Sequence, residues 1–416
     1  VLSATRRRYI GVMPRRHAIV IAVDGLRASA LGAYGNTIYA TPALDALAAR
    51  STLVEWMLCT GPRVEDFYRA AWHDGQAPPL LELLEQAGVD CLLTTDDAEI
   101  AASVEQLPSG EVRRLEIVGD RSADSIADTG LAQLFAIAID QVAAWADGAA
   151  AKSDERSQLL WLHARGFHGP WDAPRELREE LLAEDDLPPP EFVTPPQEAN
   201  VDEPDELLRY RAAYAAQALV LDACVEALLT ALADSGLDEE TLVVLVGCRG
   251  FALGEHGMVG GGVQSLYSEM LHVPCLVRPP GTECPPPRID RLAQPDELYS
   301  LIRNWFGPDG GKAADERSGK LAPAWATSPP LPYVMVAGAE GEHVLRTPAW
   351  MLRRRPGTDP MDDGVELYAK PFDRWEANEV SARRPDIVER MLAILDAATS
   401  GQPIGVLDAE LLEPAG

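Results

Sequence analysis

The sequence predicts an α/β protein: a mostly parallel central sheet flanked by helices, followed by a small C-terminal α+β subdomain. Three observations predict it. Short, largely apolar runs at residues 18–23, 158–162 and 241–246 have the composition of strands buried on both faces. Helical patterns separate such runs up to about residue 300, as crossover helices separate parallel strands. Past residue 330 strand patterns cluster instead, which marks an antiparallel unit. The expected division is a core over residues 15–325 and a C-terminal antiparallel sheet plus helix over 326–416.

The first run ends abruptly in Asp24-Gly25. It therefore delivers a carboxylate to the carboxyl edge of the sheet, where ligands gather in open α/β folds. Thr41 suits a helix N-cap and Pro42 the first helical position, with Leu44, Leu47 and Ala48 at helical spacing. Residues 53–75 read as less regular. A helix over 79–87 stops at Gly88, and a strand over 89–94 follows. Residues 96–127 are polar and mixed and fit no clear element. Leu131, Leu134, Phe135, Ala138, Val142 and Trp145 share one face of a helix.

The stretch 179–206 is rich in proline and acid, a surface excursion rather than a domain linker. A long helix over about 205–235 is closed by Gly236. The strand at 241–246 also ends in a polar turn, Gly247-Cys248-Arg249-Gly250, and another strand is expected at 273–277. The segments YVMVAG, HVLRT, AWMLRR and GVELYA read as short antiparallel strands. Ile387, Val388, Met391, Leu392 and Leu395 then line a final helix.

With 65 acidic and 36 basic residues the net charge is −29. Such a surface repels phosphate backbones, so nucleic acid is not an expected partner, and a small molecule or a protein is. No uninterrupted apolar run approaches the roughly 20 residues that cross a bilayer. The opening VLSATRRRYIGVMPRRH is basic without an apolar stretch, and Met13 is an equally good start. A cytoplasmic location is the expectation for the sequence as it stands. The six cysteines, Cys59, Cys91, Cys224, Cys248, Cys275 and Cys284, are scattered with no CxxC pair, so they read mostly as buried small apolar residues.

Several segments, in the same order along most of the chain, resemble one family. VDGLRASALGAYGN followed by TPALDALAAR looks like the opening of sulfatases of the alkaline-phosphatase-like superfamily. FHGPWDAPREL resembles their mid-chain His-x-Pro segment. TLVVLVGCRGFALGEHGMVG, with SLYSEMLHVPCLVRPPG after it, resembles their second metal segment. GVELYAKPFDRWEANEV resembles their C-terminal signature. The resemblance implies an alkaline-phosphatase-like fold and hydrolysis of sulfuric esters. In that chemistry a hard cation, Ca or Mg, sits in oxygen ligands and a formylglycine from a C/S-x-P-x-R motif is the nucleophile. Lysines and histidines neutralise the sulfate and protonate the leaving group.

The chain departs from that pattern where the chemistry lies. The family's first pair of aspartates reads Asp24-Gly25, and its second metal pair reads Cys248-Arg249. A gapless count places Val64 at the nucleophile, with Asp66 and Tyr68 at the motif's Pro and Arg. The family's Gly-Lys-Trp-His falls on Thr95-Asp96-Asp97-Ala98, and its later Lys on Gly261. Only Asp24 and His168 survive as matching chemical residues. Arg249 cannot lose its proton and cannot ligate a cation, so a hard-metal site is not expected there.

Each survivor has two readings. Asp24 is either a relic metal ligand or a buried carboxylate in need of a partner, and the expected partner is Arg249, its guanidinium in the old cation position. His168 is either a relic general acid or a histidine packed at the lip of the cleft. His256 reads as structural. Cys59, in CTGPR, nearly matches C-x-P-x-R, but Gly61 stands where Pro belongs, so it is an out-of-register alternative nucleophile. Glu65, Asp66, Asp96 and Asp97 read as solvated loop acids. The favoured expectation is a catalytically inactive pseudoenzyme with a binding or regulatory role and no cofactor. The alternatives are a sulfuric ester hydrolase, with Ca or Mg, or another ester hydrolase rewired around His168 and Cys59.

Overall fold

The structure, a computed structural model, describes residues 16–75, 77–105, 111–117, 119, 121–151, 156–191, 193–262, 265–280, 288–307, 330–355 and 364–413. The opening segment with Met13, the boundary expected at 325/326 and Cys284 lie outside these residues.

The elements run β1 (His17–Val23), α1 (Pro42–Ala49), β2 (Thr52–Leu58), α2 (Val64–Trp72), α3 (Leu80–Gln86), β3 (Asp90–Thr95), α4 (Ala98–Glu105), β4 (Glu111–Arg114), α5 (Gly130–Ala151) and β5 (Gln158–Ala164). Then come α6 (Arg175–Glu179), β6 (Ala199–Asn200), α7 (Pro204–Asp234), β7 (Thr241–Gly247), β8 (Ala252–Leu253), β9 (Met258–Gly260), α8 (Ser268–Leu271), β10 (His272–Val273), β11 (Cys275–Arg278), β12 (Ile289–Ala293) and α9 (Asp296–Phe306). The C-terminal part holds β13 (Val334–Ala337), β14 (His343–Arg346), β15 (Trp350–Arg354), β16 (Val365–Ala369) and α10 (Pro385–Thr399).

The main sheet has the order β10-β2-β11-β7-β1-β5-β3-β4, with β12 beside β2. It is parallel through β7, β1, β5, β3 and β4, and β11 is antiparallel to both β7 and β2. Strand β1 shows why its sequence is continuously apolar. Ile19, Ile21 and Val23 face a layer that includes α5 and α7, while Ala18, Val20 and Ala22 face α2, α3 and α9. The C-terminal strands form a sheet of order β13-β14-β15-β16. One face, with Leu345, Leu352 and Leu367, packs on α10. The other, with Val336, Val344 and Met351, packs on Leu58, Leu266 and Leu271 of the core.

Several expectations need correction. Residues 53–75 are regular: they form most of β2 and all of α2. The polar stretch after residue 95 includes α4 and β4. The strand expected at 273–277 is divided at Pro274, which has no N–H to donate to a ladder, into β10 and β11. Thr41 stands at the N-cap of α1 without capping it. Its hydroxyl accepts from the Gly32 N–H, and the Asp222 carboxylate from α7 receives the Ala43 and Leu44 N–H groups at 3.3 and 2.8 Å. Helix α7 is long and apolar enough to cross a bilayer, with a mean hydropathy of 1.6 over its most apolar window. Yet 61% of that window is buried inside the protein, as in a core helix.

Candidate functional site

Register assembles the site. Val23 of β1 pairs with Ala164 of β5 and with Gly247 of β7, so three central strands end in one row. The residues just beyond, Asp24, Arg165–His168 and Cys248–Arg249, therefore emerge together at the carboxyl edge. Backbone bonds lock the turns: Asp24 N–H donates to Ala164 O, Phe167 N–H to Asp24 O and Cys248 N–H to Val23 O.

Arg249 meets Asp24 side-on. Its Nε donates to Oδ1 at 2.9 Å and its Nη2 to Oδ2 at 3.0 Å, while Nη1 donates to the Pro62 carbonyl at 2.9 Å. The expected ion pair is present, and bidentate. Asp24 is only 2% exposed, and it also accepts from the Gly25 N–H at 3.1 Å. Burial alone would raise its carboxyl pKa. The positive charges of protonated His168 and of Arg249 outweigh burial and hold it below the ordinary value. His168 is itself neutral at pH 7, so Arg249 is the cation that matters there.

His168 lies beside this pair, its Nε2 3.9 Å from Asp24 Oδ1 and without a hydrogen-bond partner among the described residues. Burial lowers its pKa to about 4. Its ring also fills space that other functional groups would need. A Cβ on Gly25 would lie 2.8 Å from both His168 Cδ2 and Phe167 Cβ, and Gly25 has φ of +76°. A Cβ on Gly261 would collide with His168 Cε1 and Nδ1. The two glycines, at which the resemblance implies a metal ligand and a lysine, thus have no room for a side chain while His168 keeps this position.

Val64 is the first residue of α2 and buried, an isopropyl group where the resemblance implies a nucleophile. Cys59 follows β2, also buried. Its Sγ lies 3.4 Å from the Met270 carbonyl, and burial pushes its pKa to about 12, so its thiolate is scarce at neutral pH. Cys248 is buried too, and burial raises its thiol well above the usual value. The expectation of solvated loop acids fails at Asp96. It is buried, accepts the Arg165 N–H at 2.8 Å, and burial lifts its pKa to about 6. Asp66 is tied to Arg63 and Arg69 within and just before α2. His256 has its Nδ1 2.7 Å from Glu269 Oε1 and its ring stacked on Tyr267.

One residue escaped the sequence reading. His163, inside β5, is fully buried, with Nδ1 2.7 Å from Tyr68 Oη, and Cys248 Sγ 4.0 Å from the same nitrogen. Its Nε2 lies 4.0 Å from Asp97 Oδ2, beyond hydrogen-bonding distance. Burial lowers its pKa to about 4. The available signal was an imidazole following the apolar run Leu159–Leu162, which needs a buried partner.

The donor set does not fit a hard divalent cation. One carboxylate, already engaged by a guanidinium, faces a protonated thiol and a glycine, whereas Ca and Mg take several oxygens. Among the described residues no group of three or more His, Cys, Asp or Glu is placed to hold a metal.

Comparison with known proteins gives a partial family match and a shared fold. Residues 122–308 match the family model for sulfatases, a span that contains His168, Cys248, Arg249 and Gly261. The fold matches a 2-O GAG sulfatase with a TM-score of 0.68 at 16% identity, covering 93% of this chain and 92% of that one. It also matches the phosphonate monoester hydrolase of Agrobacterium radiobacter, with a TM-score of 0.67 at 16% identity over 93% and 95%. A third match, solved with its substrate D-glucosamine-2-N,6-O-disulfate, has a TM-score of 0.65 at 13% identity over 93% and 98%. No curated protein matches in sequence. Residues 122–308 thus match the sulfatase family model, and the chain shares its fold with these hydrolases.

Proposed function

We propose that the chain is a sulfatase-fold protein that binds or regulates rather than hydrolyses. The observation that carries this reading is the Arg249 guanidinium bonded to both oxygens of Asp24. A pair of this kind satisfies the carboxylate without a metal and leaves nothing to polarise a sulfuric ester or activate a nucleophile. Two further features support it. Val64 has no nucleophilic atom, and the Cys59 and Cys248 thiols are buried and protonated. His168 retains a position from which a proton could be given, yet no group beside it supplies the attack that general acid catalysis assists.

The test is direct. Metal content is measured by mass spectrometry, and turnover is assayed with an aryl sulfate and an aryl phosphate. The expected result is no stoichiometric divalent cation and no turnover above a heat-denatured control. Turnover that vanishes in Asp24→Ala, together with bound calcium or magnesium, overturns the reading in favour of a hydrolase.

A further inference from the structure

A cavity of about 440 Å³ lies on the far side of the β1 turn, between the segment 27–39, the start of α7 and the loop after β16. It shares no residue with the cluster around Asp24. Tyr214, whose hydroxyl donates to the Gly25 carbonyl at 2.8 Å, forms part of the wall between them. The volume falls in the range of small-molecule sites.

Two properties of the lining stand out. The first is charge. In a chain of net charge −29, this cavity is lined by three guanidinium groups, Arg27, Arg211 and Arg374, against one carboxylate, Glu255. That carboxylate is already occupied: it pairs with Arg27 and accepts the Leu253 N–H. Arg27 is likewise satisfied, by Glu255, Ser29 and the Phe251 carbonyl. Arg211 and Arg374 differ. Each donates to a single backbone carbonyl, Leu253 and Tyr34 respectively, and neither is in an ion pair among the described residues. Their remaining N–H groups and their charge are available to an anion.

The second property is apolar exposure. The large apolar side chains exposed among the described residues are Ile38, Leu187, Leu208, Phe372, Trp375 and Val406, and three of these, Ile38, Leu208 and Trp375, line this one cavity. Exposed apolar surface gathered at a concave site marks binding. The mouth is also held in place. Lys370 and Glu376, at the two ends of the loop carrying Arg374 and Trp375, form a buried ion pair, and Glu376 accepts from the Ser268 hydroxyl at 2.6 Å. A loop tied down in this way loses little further entropy when a ligand arrives.

We propose that this cavity is a binding site for a small amphiphilic organic anion, an apolar body bearing one carboxylate or sulfonate. The apolar part lies against Leu208, Tyr39 and Trp375, and the charged head meets Arg211 and Arg374. The site is independent of whether the Asp24 cleft is catalytic.

The experiment is a fluorescence titration of the full chain with 8-anilinonaphthalene-1-sulfonate, beside N-phenyl-1-naphthylamine, the same skeleton without the sulfonate. The expected result is saturable one-site binding of the sulfonate, with the uncharged compound at least about tenfold weaker, as the loss of a charge-assisted hydrogen bond requires. Arg374→Gln and Arg211→Gln each weaken the sulfonate by about tenfold and leave the uncharged compound unchanged. Arg374→Lys recovers part of the loss, and Leu208→Glu weakens both compounds. Arg211 and Leu208 are exposed, so those variants are expected to fold, and near-ultraviolet circular dichroism checks all four. Non-saturable binding, equal affinity for the two compounds, or unchanged sulfonate affinity in folded Arg211→Gln and Arg374→Gln overturns the proposal.

Discussion

Arg249 binds Asp24 through two parallel hydrogen bonds, 2.9 and 3.0 Å long, at the point where β1 and β7 end side by side. The pair joins residues 225 positions apart, and the Arg249–Pro62 bond extends it to the turn before α2. It closes the carboxyl edge of the sheet at the place where an open α/β fold ordinarily receives its ligand.

Breaking this pair from one side is expected to cost far more than removing both partners. Arg249→Met leaves a buried, unpaired carboxylate and should destabilise by about 3–5 kcal/mol. The double variant Asp24→Leu/Arg249→Met should recover most of that loss, because neither partner then remains charged and buried. Urea denaturation of the wild type, both single variants and the double variant measures the coupling. Additive effects would show that the pair is not the unit the geometry describes.

Gly25 is expected to resist replacement by the aspartate its position implies. Gly25→Asp forces a side chain into a left-handed backbone conformation and against His168 and Phe167. The expected cost is about 1–3 kcal/mol. Calcium or magnesium should leave Tm unchanged in both the wild type and the variant. A saturable rise in Tm of the variant with either cation would mean that the turn can reopen into a metal site.

His168 should remain neutral well into the acid range. Its folded pKa, about 4, lies below the ordinary histidine value. Between pH 6.5 and 4 the unfolded chain therefore binds a proton here that the folded chain does not. Stability falls as pH falls through that window, by at most about 1.4 kcal/mol per pH unit from this residue. Asp96, with its pKa raised to about 6, works in the opposite direction. The informative quantity is thus the difference between wild type and His168→Gln, which should grow smaller in slope above pH 6.5. A proton resonance of the His168 ring that titrates near 6.5 would contradict this.

Cys59 should be inert in the folded protein. Its buried thiol, with a pKa near 12, should react with iodoacetamide only after denaturation. Its tryptic peptide should retain an intact thiol after co-expression with a formylglycine-generating enzyme. An aldehyde mass on that peptide would restore Cys59 as a nucleophile.

Much of the architecture is legible in the sequence because burial imposes pattern. A strand covered on both faces is largely apolar, so residues 18–23, 158–162 and 241–246 announce β1, β5 and β7, and β2, interrupted by the partly exposed pair Glu55-Trp56, does not. Helix α2 hid for a related reason: Pro62, charged residues and mixed aromatics obscure its period, and its apolar face exists only against α9 and β5. The chemical identity of the groups at the sheet edge is also legible, since Val64, Gly25 and Arg249 offer no nucleophile and no oxygen ligand whatever surrounds them.

The sequence by itself determined the apolar central strands β1, β5 and β7, the helices with a clear period, and which chemical groups follow the strand ends, because side-chain type and spacing are local properties. Tertiary structure alone decided what those groups do to one another. Asp24 and Arg249 meet because register aligns Val23 with Gly247. His163 becomes part of the same buried cluster because Tyr68 and Cys248 close around it. The glycines at 25 and 261 are occupied space rather than open positions because one imidazole, that of His168, packs against both. Distances across strands depend on pairing and packing, and no spacing along the chain encodes them.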